Sequence, residues 1–212
     1  MSAVAHIDEY KKGTFFSDAF RGDMSWNGYE HNVLLRNLGN GPDGTPHFID
    51  VAPVLGADTM NDARGIAVFD FDNDGDPDIA VNHNPGDQGR EQEGIPAVLL
   101  RNDIGQGNHW LGLDLVGVES NRDAIGAEAV VVAGDLRQWR HVTAGSGYAG
   151  QRSRRLLFGL GDHATVDRIE LRWPSGKTQT LGPFSADRYL TIEEGRTPAD
   201  AVPADGLPGG GP

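Results

Sequence analysis

Cysteine is absent from the 212 residues, which removes disulfides, thiolate catalysis and Cys-ligated zinc or iron–sulfur centres together. The redox compartment stays open, because a cysteine-free chain tolerates either. Long apolar runs are missing too: no stretch approaches the about 20 apolar residues of a membrane-spanning helix. Basic charge is scarce, with 18 Lys and Arg against 31 Asp and Glu and a formal net charge of −13. A nucleic-acid duplex repels such a chain and no basic stripe offsets the repulsion, so nucleic acid is excluded as a partner; anionic membrane surfaces are disfavoured for the same reason. Helical periodicity of useful length is lacking, except weakly before Lys12. Where a secretion signal needs an apolar run, Met1–Lys12 carries His6, Asp8 and Glu9. The expectation is a soluble cytoplasmic chain, or a secreted one if a leader precedes Met1.

What is present is glycine, 30 residues without a collagen period, which points to many tight turns and so many short strands. The segment Val33-Leu34-Leu35-Arg36-Asn37 recurs as Val98-Leu99-Leu100-Arg101-Asn102, the mark of two related β-modules. From Trp110 onward the chain reads as strand after strand. Leu111, Leu113 and Leu115 alternate; Ala127–Ala133, Arg140–Thr143 and Leu156–Phe158 follow. Within Val166–Trp173, Ile169, Leu171 and Trp173 share one face, and Arg168, Glu170 and Arg172 the other. A turn at Trp173–Lys177 leads to a strand through Leu181, and Tyr189–Ile192 closes the series. Such spacing predicts an antiparallel β-sandwich. Residues 196–212 hold almost no large apolar side chain, and the expectation there is a disordered tail.

The strongest chemical signal is Asp70-Phe71-Asp72-Asn73-Asp74-Gly75-Asp76-Pro77-Asp78. Five carboxylates at alternate positions repel one another, and from Asp58 to Asp78 the only basic residue is Arg64. A hard cation inside the loop resolves that repulsion. Calcium takes six to eight oxygens at about 2.3–2.6 Å, and a curled loop supplies them from alternate residues. On this spacing Asp70, Asp72, Asp74 and Asp78 offer side chains, Asp76 its backbone carbonyl, and Gly75 the positive-φ bend. An EF-hand would need Glu at position twelve, which is Val81, and flanking helices; here the flanks, Gly65–Phe69 and Ile79–Val81, read as strands. Magnesium fits less well, since it prefers few protein ligands in a rigid octahedron.

The loop within these flanks resembles an FG-GAP or VCBS-type calcium repeat. The segment from Trp110 to Glu194 resembles the ASPIC/UnbV domain, found in cartilage acidic proteins and in UnbV proteins of enediyne biosynthetic clusters. That second resemblance rests on Asn121-Arg122-Asp123-Ala124-Ile125-Gly126-Ala127, Gly145-Ser146-Gly147-Tyr148, Phe158-Gly159-Leu160-Gly161 and Trp173-Pro174-Ser175-Gly176. Together the resemblances imply an all-β fold, a partial propeller-like unit packed on an antiparallel sandwich, with calcium as cofactor. The domain expectation is an extension over 1–27, the repeat unit over 28–109, the sandwich over 110–195 and the tail. The expected role is a binding or accessory protein in bacterial natural-product biosynthesis, with a small molecule or a protein as ligand. The alternatives are a calcium-dependent cyclase or hydrolase acting on a polyketide-like substrate, and an extracellular adhesion or glycan-binding module.

Asp62, Asn82 and Asn84, with Asp58, are candidates to complete the cation shell, or are turn caps. No histidine pair has metal-ligand spacing. His83 is the general-base candidate and Arg122 the candidate ligand-binding arginine, unless it pins its own turn through Asp123. Ser146 lacks the spacing of a nucleophile elbow. Arg152, Arg154 and Arg155 form the one basic cluster, suited to an anionic ligand, to the acidic remainder of the chain or to a solvated strand face.

Overall fold

The computed structural model describes residues 31–59, 63–83, 97–104, 107–147 and 150–198. The expected N-terminal extension, Asp62, Asn84 and tail residues 199–212 lie outside these. Among the described residues the chain forms fourteen strands and one four-residue helix, so the all-β expectation holds. No helix of the described residues is long and apolar enough to cross a membrane. Residues 31–59 form one compact unit; residues 63–83 and 97–198 form the second.

In the first unit β1 (Leu35–Asn40) and β2 (Pro46–Asp50) make an antiparallel hairpin. Asp50 Oδ1 accepts from the Leu34 and Ala52 amides at 3.1 and 3.0 Å. That carboxylate ties the hairpin to α1 (Ala52–Leu55), a single turn ended by Gly56 at φ 70°.

The second unit opens with an antiparallel sheet of order β3 (Ala63–Phe69), β4 (Asp78–His83), β5 (Ala97–Leu100). The sandwich follows. Its strands are β6 (His109–Val116), β7 (Glu128–Ala133), β8 (Leu136–His141), β9 (Leu156–Gly161), β10 (Thr165–Val166), β11 (Arg168–Arg172), β12 (Thr178–Leu181), β13 (Phe184–Ser185) and β14 (Arg188–Glu193). One sheet runs β12-β11-β7-β8, the other β14-β6-β9, and β10 pairs with β13. The alternating leucines of β6 face inward with Phe158, Leu160, Leu190 and Ile192, and meet Ala129, Val131, Ile169 and Leu171 of the other sheet in one core. Trp173, the largest fully buried side chain, belongs to it.

Two details depart from the expectation. The run Val166–Trp173 breaks at Asp167, whose amide donates to Val132 O at 2.9 Å and whose carboxylate accepts from Gly134 N at 2.8 Å. That side chain and amide fix the neighbouring hairpin, so β10 and β11 are separate strands. And β14 runs parallel to β6. Most of the sandwich lies between these two strands in sequence, which gives the long crossover that a parallel pair requires.

The end of β14 is pinned by a carboxylate nest. Glu194 Oε2 accepts from the amides of Val118, Glu119 and Ser120 at 2.7–2.8 Å. Its Oε1 accepts from Ser120 Oγ at 3.0 Å and from Ser175 Oγ. Burial raises the Glu194 pKa, but the hydrogen bonds from Ser175, Ser120 and Val118 outweigh it and hold the carboxyl down at about 2. The folded pKa lies below the ordinary carboxylate value, so this contribution to stability is full above about pH 4.5 and is lost as pH falls towards 2. Glu194→Gln is expected to lower the melting temperature at pH 7 by about 5 °C or more, with the gap to the parent closing below pH 4; melting curves across pH 2–7 measure this.

Candidate metal centre

β3 delivers the chain into the aspartate loop, and β4 takes it away paired in register, Phe69 opposite Asp78. The loop is therefore closed at its base by a sheet ladder, and its first and last carboxylates face each other. Asn73 at φ 60° and Gly75 at φ 96° supply the two left-handed residues that curl it. Asp70, Asp72 and Asp78 each bring a carboxylate oxygen within 4.8 Å of the others. Asp70 and Asp78 are buried; Asp72 is exposed. The donor set is all hard oxygen, with neither sulfur nor imidazole, which suits calcium.

Backbone amides line this cluster. Asp70 accepts from Asp74 N at 3.2 Å and Gly75 N at 2.9 Å. Asp78 accepts from Phe71 N at 2.6 Å and from Asn102 N, at the end of β5, at 2.8 Å. Asp74 Oδ1 accepts from Asp76 N at 3.1 Å. Asp76 differs: both its carboxylate oxygens are buried with no hydrogen-bond partner. Burial, then the charges of Asp74, Asp78, Asp70 and Asp72, push its carboxyl up to about 6. A buried carboxylate without donors fits a loop shaped for a cation.

The sequence placed no cation but Arg64 near the loop. The fold brings two more to its rim: Arg101 Nη1 lies 3.8 Å from Asp72 Oδ2, and Arg155 donates to Asn73 Oδ1 at 2.6 Å. Neither reaches Asp76. Of the basic cluster, Arg155 thus serves the acidic part of the chain, and Arg154 pairs with Asp123 at 3.0 Å. Asp123 therefore pairs with Arg154, distant in sequence, and not with its neighbour Arg122.

The loop rests on the outer face of the β14-β6-β9 sheet. Trp110 sits where a side chain on Gly75 would be: a Cβ there would lie 2.1 Å from the indole. Tyr189 packs edge-on to Trp110 with centroids 5.1 Å apart and donates to Asp70 Oδ2 at 2.7 Å. Gly112, opposite Tyr189 in the ladder, leaves room for its ring; a Cβ would come within 2.2 Å. The Arg155 guanidinium covers Tyr189 at 4.6 Å. Burial and the bond to Asp70 push the tyrosine hydroxyl up, so it stays protonated and remains a donor.

Beside the loop opens a cleft of about 200 Å³ lined by Asp74, Gly75, Asp76, Asn108, His109, Trp110 and Asp187. His109 Nδ1 lies 2.7 Å from Asp187 Oδ2. This pair, separated by most of the sandwich in sequence, has no spacing signal that could have revealed it. His83 is buried at the end of β4, and Arg122 lies on an exposed turn where its carbonyl accepts from Gly117 N. Neither lines the cleft. Asn82 is exposed on β4, and Asp58 is bonded through its carbonyl to His31 at 2.9 Å.

Comparison with known proteins accords with this geometry. Residues 21–81 match the model for an FG-GAP-like repeat, and residues 117–199 match the model for ASPIC and UnbV. The chain is 27% identical over 165 residues to cartilage acidic protein 1 of Xenopus tropicalis, covering 77% of this chain and 24% of that protein. It thus spans about a quarter of that relative's length. In chain order, the protein carries an FG-GAP-like repeat followed by an ASPIC and UnbV domain.

Proposed function

We propose that residues 70–78 form a structural calcium centre, and that the chain is a binding or accessory protein built around it. The carrying observation is the convergence of Asp70, Asp72 and Asp78 beside an Asp76 carboxylate that is buried without donors. These four would hold the ion, with Asp74 at the loop's outer turn. The ion supplies the positive charge that the five carboxylates lack. The setting we propose for it is bacterial natural-product biosynthesis, on the resemblance of its second domain to UnbV proteins alone.

The loop's contacts give the ion a mechanical role. Tyr189 orients Asp70, Trp110 fills the space beside Gly75, and Arg155 bridges Asn73 to Tyr189. Each contact joins loop to sandwich, so occupancy of the loop and order of this sheet face support one another. A ligand bound only by the folded state adds about 2.7 kcal/mol at a hundredfold excess over Kd. EDTA is therefore expected to lower the melting temperature by several degrees and calcium to restore it; identical curves would refute the centre. Tyr189→Phe, which leaves every loop carboxylate in place, is expected to weaken calcium about tenfold through loss of the bond that orients Asp70.

The raised Asp76 pKa gives a second test. Near pH 6 the metal-free carboxyl is about half protonated, and a cation must displace that proton. Calcium binding at pH 6 is expected to release protons, seen as a calorimetric heat that scales with the buffer's ionisation enthalpy. The release should be smaller at pH 8 and reduced in Asp76→Asn.

A further inference from the structure

The outer face of the β12-β11-β7-β8 sheet presents an aromatic side chain where alternation along a strand would put a polar one. On β8, Arg137, Trp139 and His141 point outward, opposite Val132, Val130 and Glu128 of β7. The other side of this edge strand, shared with buried Ala129 and Val131, holds Gln138 and Arg140. There the Gln138 amide donates to Gly159 O, and the Arg140 guanidinium lies 5.6 Å over the Phe158 ring. A tryptophan outside and an arginine inside reverse the arrangement that burial alone selects. Trp139 is 50% exposed, yet its indole is held in place. His141 stacks against one face, with centroids 4.9 Å apart and planes 29° from parallel. Glu128 steadies the stack from the next strand: the Arg172 hydrogen bond, against burial, and then one from the Trp139 indole hold its carboxyl below the ordinary carboxylate range. Among the described residues no second ring or guanidinium covers the other indole face. A ligand would meet a surface that is already ordered.

The charges around the indole select the ligand. The outward positions of the ladder carry Arg137, Arg168 and Arg172 against Glu128 and Glu170. Arg172 is matched by Glu128. Glu170 serves both Arg137, at 3.2 Å, and Arg168, at 2.8 Å. Two guanidiniums thus share one carboxylate, and a positive charge is left over beside Trp139 on a chain of net charge −13. A carboxylate on the ligand matches it. A protein partner fits poorly, because the core of a protein interface is depleted of charged residues; nucleic acid is repelled by the chain as a whole. A sugar ring fits. Its C–H face is apolar and lies on an indole, as an amphipathic aromatic allows, and its hydroxyl rim meets the surrounding Arg and Glu side chains. Arg137 stands two residues from Trp139, about 6.8 Å along the strand, within reach of an acid group on a ring laid over the indole. We propose that this sheet face binds an acidic glycan, with a uronate ring stacked on Trp139 and its carboxylate at Arg137.

The site lies apart from the aspartate loop and needs no ion there, so its test and the EDTA melting curves fail separately. The intact, isotope-labelled chain is titrated in an NMR experiment with trigalacturonate, trimannuronate and a hyaluronan tetrasaccharide, each also as its neutral methyl ester. A tetraglutamate peptide controls for charge alone. The indole N–H signal of Trp139, identified by its loss in Trp139→Ala, should shift with at least one of the acidic sugars. Trp139→Ala should weaken that sugar about tenfold, and Trp139→Phe, which keeps a ring, should weaken it less; far-UV circular dichroism confirms that both variants fold. Arg137→Gln, which leaves Arg168 and Glu170 matched, should bring the acid down to the affinity of its ester, a loss of about fivefold. An indole signal that none of the three sugars moves overturns the site. Equal binding of acid and ester overturns it too, as does binding unchanged in Trp139→Ala. Peptide binding as tight as the sugar's overturns the glycan and makes the face a surface for acidic peptides.

Discussion

Mutual repulsion among the loop carboxylates is the constraint on which the rest of the second unit depends. The chain answers it unevenly. Asp70 receives two loop amides and the Tyr189 hydroxyl; Asp78 receives one loop amide and one from the end of β5. These donors hold two buried anions in place without neutralising them. Asp76, by contrast, receives nothing at its carboxylate. Hydrogen bonds thus set the positions of the carboxylates, and the remaining unfavourable charge is what a divalent cation can remove. A loop that satisfied every oxygen by itself would have no use for an ion.

Seating such a loop on a sheet requires that small residues stand where rings must pass. Gly75 admits the Trp110 indole and Gly112 admits the Tyr189 ring, so two glycines on opposite partners define one interlocked contact. Next to it, segment 150–155 runs along β3: Ser153 N donates to Val68 O at 3.1 Å, and a Cβ on Gly150 would strike Ile66 O at 2.5 Å. The β3-β4-β5 sheet is therefore held to the sandwich at its loop and along one edge. This explains why residues 63–83 cluster with the sandwich and not with the hairpin that precedes them.

The loop itself was legible, because alternate carboxylates around a glycine constrain chemistry and backbone at once. Alternating leucines likewise announced β6, and the inward face of Ile169, Leu171 and Trp173 is buried as their period requires. The parallel return of β14 was not legible, since direction depends on crossover length and packing, which no local pattern records. Nor was the His109–Asp187 pair, brought together beside the β6–β14 ladder, or the reach of Arg155 to Asn73, which depends on how the loop packs on the sheet. His83, by its place after the loop, suggests a general base. It is buried, because the same alternation that exposes Asn82 turns its neighbour inward.

The residues that most strongly mark the second domain have architectural tasks. Asn121 closes its own turn by a pair of 2.9 Å bonds to Ile125. Ser146 Oγ accepts from Arg152 N at 3.1 Å, and Ser175 completes the Glu194 nest. The Trp173 turn is closed by Gly176 N to Trp173 O at 2.9 Å. His109 and Asp74, which line the cleft, lie where the repeat meets the sandwich and outside every one of those motifs. A recess assembled from both modules exists only in a chain that carries them together, so binding chemistry at the junction would depend on their order in sequence as much as on either domain's own signature.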